Sequence, residues 1–331
     1  MKTTVLDFLK HLRVGEPQSH ENLTVYPVRV ESYKGYSTFG YQVLDEALKK
    51  GAVTVEEIDG AGSVPELLVT NNSGSRVFLM DGEELIGAKQ NRIVNTSIII
   101  DAHSKVKIPV SCVEQGRWHF EGSKMKSGNV AHPHLRKEKA AQVQYNLETC
   151  HKFSANQSAI WDSVSDKLDE QSVRSDTGDM DSVFREKRSD LDSFLDRIRF
   201  VEGTTGVIAA INGELVCADL FDSAATCKKL WRKLISSYAL DAMGNHLIVD
   251  KSPGIRNGDF SSLHRLFETA KYGSFESPGI GHDVRIEGEG FRGSALICED
   301  RVIHLAAFIT DTPERDEWTP LARPSRRRDT R

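Results

Sequence analysis

The residues able to do chemistry are concentrated between Arg76 and Phe120. There Asp81, Glu83, Glu84, Lys89, Gln90, Asn91, Arg92, Asn95, Cys112, Glu114 and Arg117 interrupt the apolar runs VFLM, SIII and IPVSCV. Alternation along a strand needs far fewer polar residues than this. In the first cluster, Glu83 and Glu84 precede Lys89, Gln90, Asn91, Arg92 and Asn95 by a few residues. A carboxylate beside a cation is held ionised, ready to act as a general base or to orient a ribose hydroxyl. Arginine, lysine and amide groups are the donors a phosphate or diphosphate would take. The plainer reading is a surface hairpin whose charges pair with each other, and both readings stay open.

The second cluster is Ser111-Cys112-Val113-Glu114-Gln115-Gly116-Arg117-Trp118. On a strand, Cys112 and Glu114 share one face, while Ser111, Val113 and Gln115 share the other. Cys112 would be a nucleophile if a base or cation lowered its pKa; otherwise it is a small buried residue. Glu114 and Arg117 suit a structural or ligand-contacting role, and Trp118 either stacks on a base or fills the core. Far along the chain, His304 sits in the apolar strand RVIHLAAFI, where its ring must find partners. It is a satisfied core histidine or a general acid–base. Asp283 and Arg285, two apart, face the same way on a neighbouring strand. The catalytic candidates are therefore Glu84, Glu114, Cys112 and His304. The ligand-binding candidates are Lys89, Gln90, Asn91, Arg92, Asn95, Arg117 and Trp118.

Other signatures are missing. His132, His134, Cys150 and His151 match no standard zinc spacing, and HPH in a basic loop reads as solvated, so no metal site is expected. GIGHD and GEGFRG lack the strand–loop–helix context of a phosphate cradle and read as turns. GxSxG, HExxH and the kinase motifs are absent. No cofactor can be assigned.

The elements that must position these residues follow from periodicity. A short N-terminal helix spans residues 4 to 13, and NLTVYPVRV (22–30) is a strand that Pro27 marks as an edge. YQVLDEALKK (41–50) is helical and VTVEEI (53–58) a strand. Further strands follow, with turns at Asp81-Gly82, Asp101 to Ser104 and Gln115-Gly116. After Phe120 the chain turns basic and begins as a loop, then becomes polar and helical from about Arg136 to Phe200. Asn212-Gly213 between two apolar runs predicts a hairpin. Cys227, Leu230, Trp231, Leu234, Tyr238 and Ala242 form one face of a long helix. A shorter helix covers 259–270, and 281–309 reads as a three-stranded meander. RVFLMDGEELIGA and GVIAAINGELVCA echo each other, most simply as two hairpins obeying the same turn rules. The expected fold is α+β: a mixed, mainly antiparallel β core with packed helices and a helical insertion in the middle of the chain. Its parts are a β-rich motif-bearing unit (1–120), a polar helical insertion (121–203), an α+β unit completing the same fold (204–311) and a flexible tail (312–331).

The chain has 331 residues, 39% hydrophobic and 27% charged, with a formal net charge of -5. That material builds a core without staples and gives no overall pull toward nucleic acid; the Arg326-Arg327-Arg328 run reads as solvated. Five scattered cysteines with no CxxC pair indicate reduced thiols, hence a cytoplasmic setting. No signal peptide or membrane-length apolar run is read.

NLTVYPV, EALKKGAVTVEE, GEELIGAKQNRIVNTSIII, IPVSCVEQGRW and the C-terminal GHDVR…GSAL…VIHLAAF together resemble the ARG and rhodanese-phosphatase-superfamily-associated protein domain family. The resemblance covers most of residues 20 to 310 and is densest from Gly82 to Trp118. It implies a bacterial, cytoplasmic protein found in company with ADP-ribosylglycohydrolases and rhodanese-like phosphatases, and a small NAD- or ADP-ribose-derived ligand. No catalytic set comes with it; what it carries over is the motif itself. Three functional readings remain: binding and processing of such a nucleotide-derived ligand, a non-enzymatic interaction or regulatory module with a structural polar network, and a thiol hydrolase pairing Cys112 with His304.

Overall fold

The computed structural model describes residues 1–31, 39–58, 65–117, 121–244 and 261–310. The chain opens with helix α1 (Lys2–Lys10) and strands β1 (Leu12–Val14), β2 (Gln18–His20), β3 (Leu23–Val30) and β4 (Tyr41–Val43). Helix α2 (Leu44–Lys49) leads to β5 (Val53–Glu57), β6 (Glu66–Asn71), β7 (Arg76–Leu79) and β8 (Glu83–Ala88). Then come β9 (Arg92–Val94), β10 (Ile98–Ile100), β11 (Ser104–Cys112) and β12 (Glu121–Val130). Four helices follow: α3 (Pro133–Cys150), α4 (Gln157–Glu170), α5 (Met180–Glu186) and α6 (Arg188–Arg197). Strands β13 (Gly206–Ile211) and β14 (Glu214–Phe221) precede the long helix α7 (Ala224–Ala242) and α8 (Ser261–Thr269). The chain closes with β15 (Lys271–Glu276), β16 (His282–Gly288), β17 (Phe291–Cys298) and β18 (Arg301–Ile309).

These strands form three sheets. The largest runs β1-β3-β13-β14-β18-β17-β16-β15, with β2 also on β3. A second runs β12-β8-β9-β11-β6-β5 and a third β10-β7-β4. Among the described residues the only parallel pairing is β4 with β7, so the fold is α+β with a mainly antiparallel core, as the sequence predicts.

Alternation explains how the large sheet is buried on both faces. Val207, Ala209 and Ile211 of β13 enter one core beneath α3 to α7, while Ile208 and Ala210 enter another shared with α1 and α8. Two bulges shift this alternation. On β14 the register slips between Cys217 and Leu215. On β18 it slips between His304 and Val302. As a result Cys217, Asp219, Phe221 and His304 all face the first core.

Several local expectations hold. Asn212 and Gly213 both have positive φ, at 52° and 85°, and close the β13–β14 hairpin. The α7 face and the β16–β18 meander form as read.

Others are corrected. β3 lies between β13 and the short pair β1 and β2, not at a sheet edge. Pro27 is tolerated because its missing donor faces the gap between β1 and β2, where its carbonyl accepts from Gly15 N at 2.7 Å. The stretch after Phe120 is strand β12, paired with β8 through two register shifts, rather than a loop. Residues 41–43 are strand, and only 44–49 are helical. The echoed segments also differ: β13 and β14 form a hairpin, whereas β7 and β8 lie in separate sheets. Gly82 makes that crossing, with φ 78°, donating to Val94 O and accepting from Ala131 N. The tail from 312 lies outside the described residues.

Candidate functional site

The motif side chains fold onto one another. β8 reverses through Gly87 and Ala88, both with positive φ, so that residues 89–91 lie beside the end of β11. Glu114 is gripped on both oxygens. Arg117 donates to Oε1 from Nε at 2.8 Å and to Oε2 from Nη2 at 2.6 Å. Thr177 Oγ1 adds a bond to Oε1 and Asn91 N one to Oε2, each at 2.9 Å. Arg117 also donates to Ala88 O and Asn91 Oδ1. Gln90 donates to Glu114 O, and Asn91 Nδ2 to Asp179 Oδ1 at 2.8 Å. Asp179 in turn caps α5. The motif is thereby tied to the helical region.

Arg92 continues this cluster. It has no exposed surface and sits opposite Cys112 in the β9–β11 pairing. Its guanidinium donates to Gln90 Oε1 at 2.9 Å, to Glu57 Oε1 at 3.2 Å and to the Cys112 sulfur. Lys89 is buried in the same turn. Asn95 lies further along, accepting from Ser111 and donating to Phe153 O. Trp118 lies outside the described residues.

The electrostatics separate the candidates. Burial would raise the Glu114 carboxyl, but the Arg117 guanidinium, Asn91 N–H and Thr177 hydroxyl outweigh it and hold the group below its usual range. Burial pushes the Cys112 thiol up to about 11, although Arg92 pulls the other way. Glu84 is raised well above the usual carboxylate range, first by burial and then by Asp181 and Asp179. One Glu84 oxygen accepts from Asn129 N at 3.3 Å, and the other has no hydrogen-bond partner.

His304 belongs to a second network. Its Nε2 is 3.1 Å from Asp219 Oδ1 and its Nδ1 is 2.7 Å from Ser97 Oγ. With the proton on Nε2 facing the carboxylate, Nδ1 accepts the Ser97 hydroxyl, whose oxygen accepts from Asp81 N. Arg136 binds Asp219 with two bonds of 2.8 and 2.6 Å, and Tyr238 adds a third donor at 2.6 Å. Burial opposes ionisation of Asp219, but Arg136 wins and holds it far below the usual range. Lys139 pairs with Asp81 and donates to the carbonyls of Val94 and Asn95. The serine–imidazole–carboxylate row has the polarity of a hydroxyl-activating relay. However, sharing Asp219 with Arg136 and Tyr238 weakens its pull on the ring. Beside it, Arg285 holds Asp283, which accepts from Thr96.

The fold therefore brings Glu114, Arg117, Gln90, Asn91, Arg92 and Cys112 together. It places His304 in a separate set with Ser97 and Asp219. Cys112 and His304 share no partner in these bonds. Sequence reading missed Arg136, Lys139, Asp219, Asp179 and Glu57, and for two of them a signal existed. Lys139 falls on the Leu135–Val143–Leu147 stripe of α3, and Asp219 alternates with Cys217 and Phe221 on the core face of β14. A charge at an apolar position must find a partner. His132, read as solvated, is fully buried and 2.8 Å from Asp241, whereas His134 is partly exposed.

Two cavities stand out among the described residues, and neither is lined by a candidate residue. One of about 120 Å³ is apolar, between α1, α8 and the large sheet. The other, of about 430 Å³, is polar and is lined by the starts of the paired strands β4 and β7 together with Asp101 and Ala102 after β10. Among the described residues no group of three or more His, Cys, Asp or Glu side chains is arranged to hold a metal, and no helix is long and apolar enough to cross a membrane.

The sheets and networks define an α+β protein whose motif side chains are drawn inward from β8, β9 and β11. The model of the ARPP-1 family, the ARG and Rhodanese-Phosphatase-superfamily-associated Protein domain, matches residues 11–308, and the chain belongs to that family. Comparison with curated proteins and with solved structures gives no match.

Proposed function

We propose that this protein is a non-enzymatic binding or regulatory module in which the motif residues form a structural polar network. The observation that supports this most is the mutual pairing of the motif charges. Arg117 is matched by Glu114, and Arg92 by Glu57, all at 5% side-chain exposure or less. A phosphate reaching these cations would have to displace a buried carboxylate. Leaving one buried partner unpaired costs about 3–5 kcal/mol. The test is calorimetric titration of the wild-type chain with NAD, ADP-ribose and its phosphates, alongside thermal melting of Arg117→Ala and Glu114→Ala. The expected result is a large drop in melting temperature for both variants and no binding heat that depends on them. Wild-type affinity abolished by Lys89→Ala or Glu84→Gln without any fall in melting temperature would overturn the reading.

A second reading has one observation in its favour. Glu57 Oε2, Glu84 Oε1 and Arg92 Nε are buried without a hydrogen-bond partner. Buried polar atoms of that kind need an explanation, and a bound molecule supplies one. The family's association with ARG and rhodanese-phosphatase proteins makes an NAD- or ADP-ribose-derived ligand the natural choice. In that arrangement Lys89, Arg92 and Arg117 hold phosphate and Glu84 or Glu114 orients hydroxyls. The same titrations decide between the two.

A further inference from the structure

The polar cleft of about 430 Å³ lies apart from both networks, and its volume falls within the usual range for small-molecule sites. Its lining includes Tyr41, Gln42, Ser75, Arg76 and Asp101. The parallel pairing of β4 with β7 sets Tyr41 directly opposite Arg76. Gly40 and Gly74 complete the wall and leave its backbone uncovered.

Several polar groups here already have partners, among them Gln42, whose Oε1 accepts from Lys50 Nζ at 2.8 Å and leaves its amide NH2 to donate. The Arg76 guanidinium lies over the Phe39 ring at 4.3 Å, with Nε 3.4 Å from Asp101 Oδ1 and Nη2 2.9 Å from Glu299 Oε1. Asp101 Oδ1 also accepts from Ala102 N at 2.9 Å. Tyr41 donates to Asp222 Oδ1 at 2.5 Å and accepts from Thr226 Oγ1 at 2.8 Å. Its ring also packs on Phe78 with centroids 5.6 Å apart, so it cannot swing.

We propose that this cleft binds a neutral polyhydroxylated ring, either a free sugar or the ribosyl part of a nucleotide. Two carboxylates already face Arg76, so a phosphate would meet as much repulsion as attraction. A hydroxyl differs because it both donates and accepts. Vicinal hydroxyls can engage a guanidinium, a carboxylate and an amide side by side, and hydrogen bonds to charged groups are the stronger kind. The inference stands whether or not the motif network binds a ligand, because none of its residues lines this cleft.

The test uses the whole chain, with a panel of free pentoses and hexoses and, separately, ADP-ribose, read by saturation-transfer NMR and calorimetry. Gly40→Leu is the blocking variant. A Cβ at Gly40 meets nothing within 4 Å, so a bulky side chain at this wall of the cleft is added without forcing the fold. Asp101→Ala is the second variant. Saturable binding that falls about tenfold or more in both variants is expected, the size of one lost charged hydrogen bond. Binding of free sugars assigns the site to the ring alone. Binding of ADP-ribose without free sugars assigns it to a ribosyl group within a larger ligand. No binding by any member at about 10 mM, or binding that Gly40→Leu and Asp101→Ala leave intact, overturns the proposal. Loss of ADP-ribose binding in Lys89→Ala but not in Gly40→Leu would instead place that ligand at the motif.

Discussion

Arg92 has no surface left to offer, because Gln90, Glu57 and the Cys112 sulfur surround its guanidinium. Its neighbour Cys112 bears the first prediction at this scale. With a pKa of about 11, roughly one thiol in 3,000 is ionised at pH 7.5, and only the thiolate is alkylated. Native protein treated with iodoacetamide should gain one adduct by intact mass, on the exposed Cys150, with Cys112, Cys217, Cys227 and Cys298 buried and unmodified. Rapid labelling of Cys112 would restore it as a nucleophile. Glu84 bears the second. Its folded carboxyl keeps a proton that the unfolded chain releases near 4.5. The stability this group lends is therefore complete below about 4.5 and is lost as pH rises toward the raised folded value. Glu84→Gln keeps the shape and removes the titration. It should melt above wild type at pH 7.5, with the gap closing by pH 4.5; a pH-independent gap would refute the protonated carboxyl.

At the scale of elements, the turns and bulges decide what the side chains meet. A Cβ at Gly82 would lie 2.9 Å from Arg136 Cγ and Cδ, on a backbone with φ 78°. Gly82→Ala should therefore cost about 1–3 kcal/mol in a urea melt and loosen Arg136 from Asp219. A neutral result would mean that Arg136 can move aside freely. The same turn shows how far the sequence could be read. Asp81-Gly82 was legible as a turn, but its neighbours could not reveal that β7 and β8 belong to different sheets. The Asn212-Gly213 hairpin was legible because its geometry is set by two adjacent residues. β12 was not, because a Gly/Ser-rich segment acquires strand geometry only from its partner β8. In the candidate site, the crowding of polar residues from Glu84 to Arg117 was visible. Which charge meets which was hidden, since Glu57, Asp179 and Thr177 arrive from distant elements.

Across the whole molecule, Arg136 and Asp219 link separate parts of the fold through buried charge. The pair joins α3 to β14, while Arg136 and Lys139 also reach Asp81 ahead of β8. Asp219→Asn should cost about 3–5 kcal/mol by urea denaturation, because buried, charged Arg136 loses its two-bond partner and keeps only the longer 3.5 Å contact to Asp81. Adding Arg136→Met should recover part of that loss, with a coupling of about 1 kcal/mol or more. Strictly additive losses would mean that the pair is not a coupled unit. Asp219 also sets a pH limit. A carboxyl held low by its partners supports the fold above about 3.8, and that support is lost as pH falls through the folded value.

The place of β3 bears on how the protein is made. Residues 23–28 pair with 206–211, so this strand leaves the ribosome long before its partner exists. At about 5–20 residues per second, the delay is on the order of ten seconds or more. During that time LTVYPVRV has only the short strands β1 and β2 to cover it. Ribosomes stalled near residue 200 should carry a nascent chain that stays protease-sensitive and sticky, and protection should appear only once β13 and β14 have emerged. A chain with this topology depends on early chaperone cover more than its final stability would suggest.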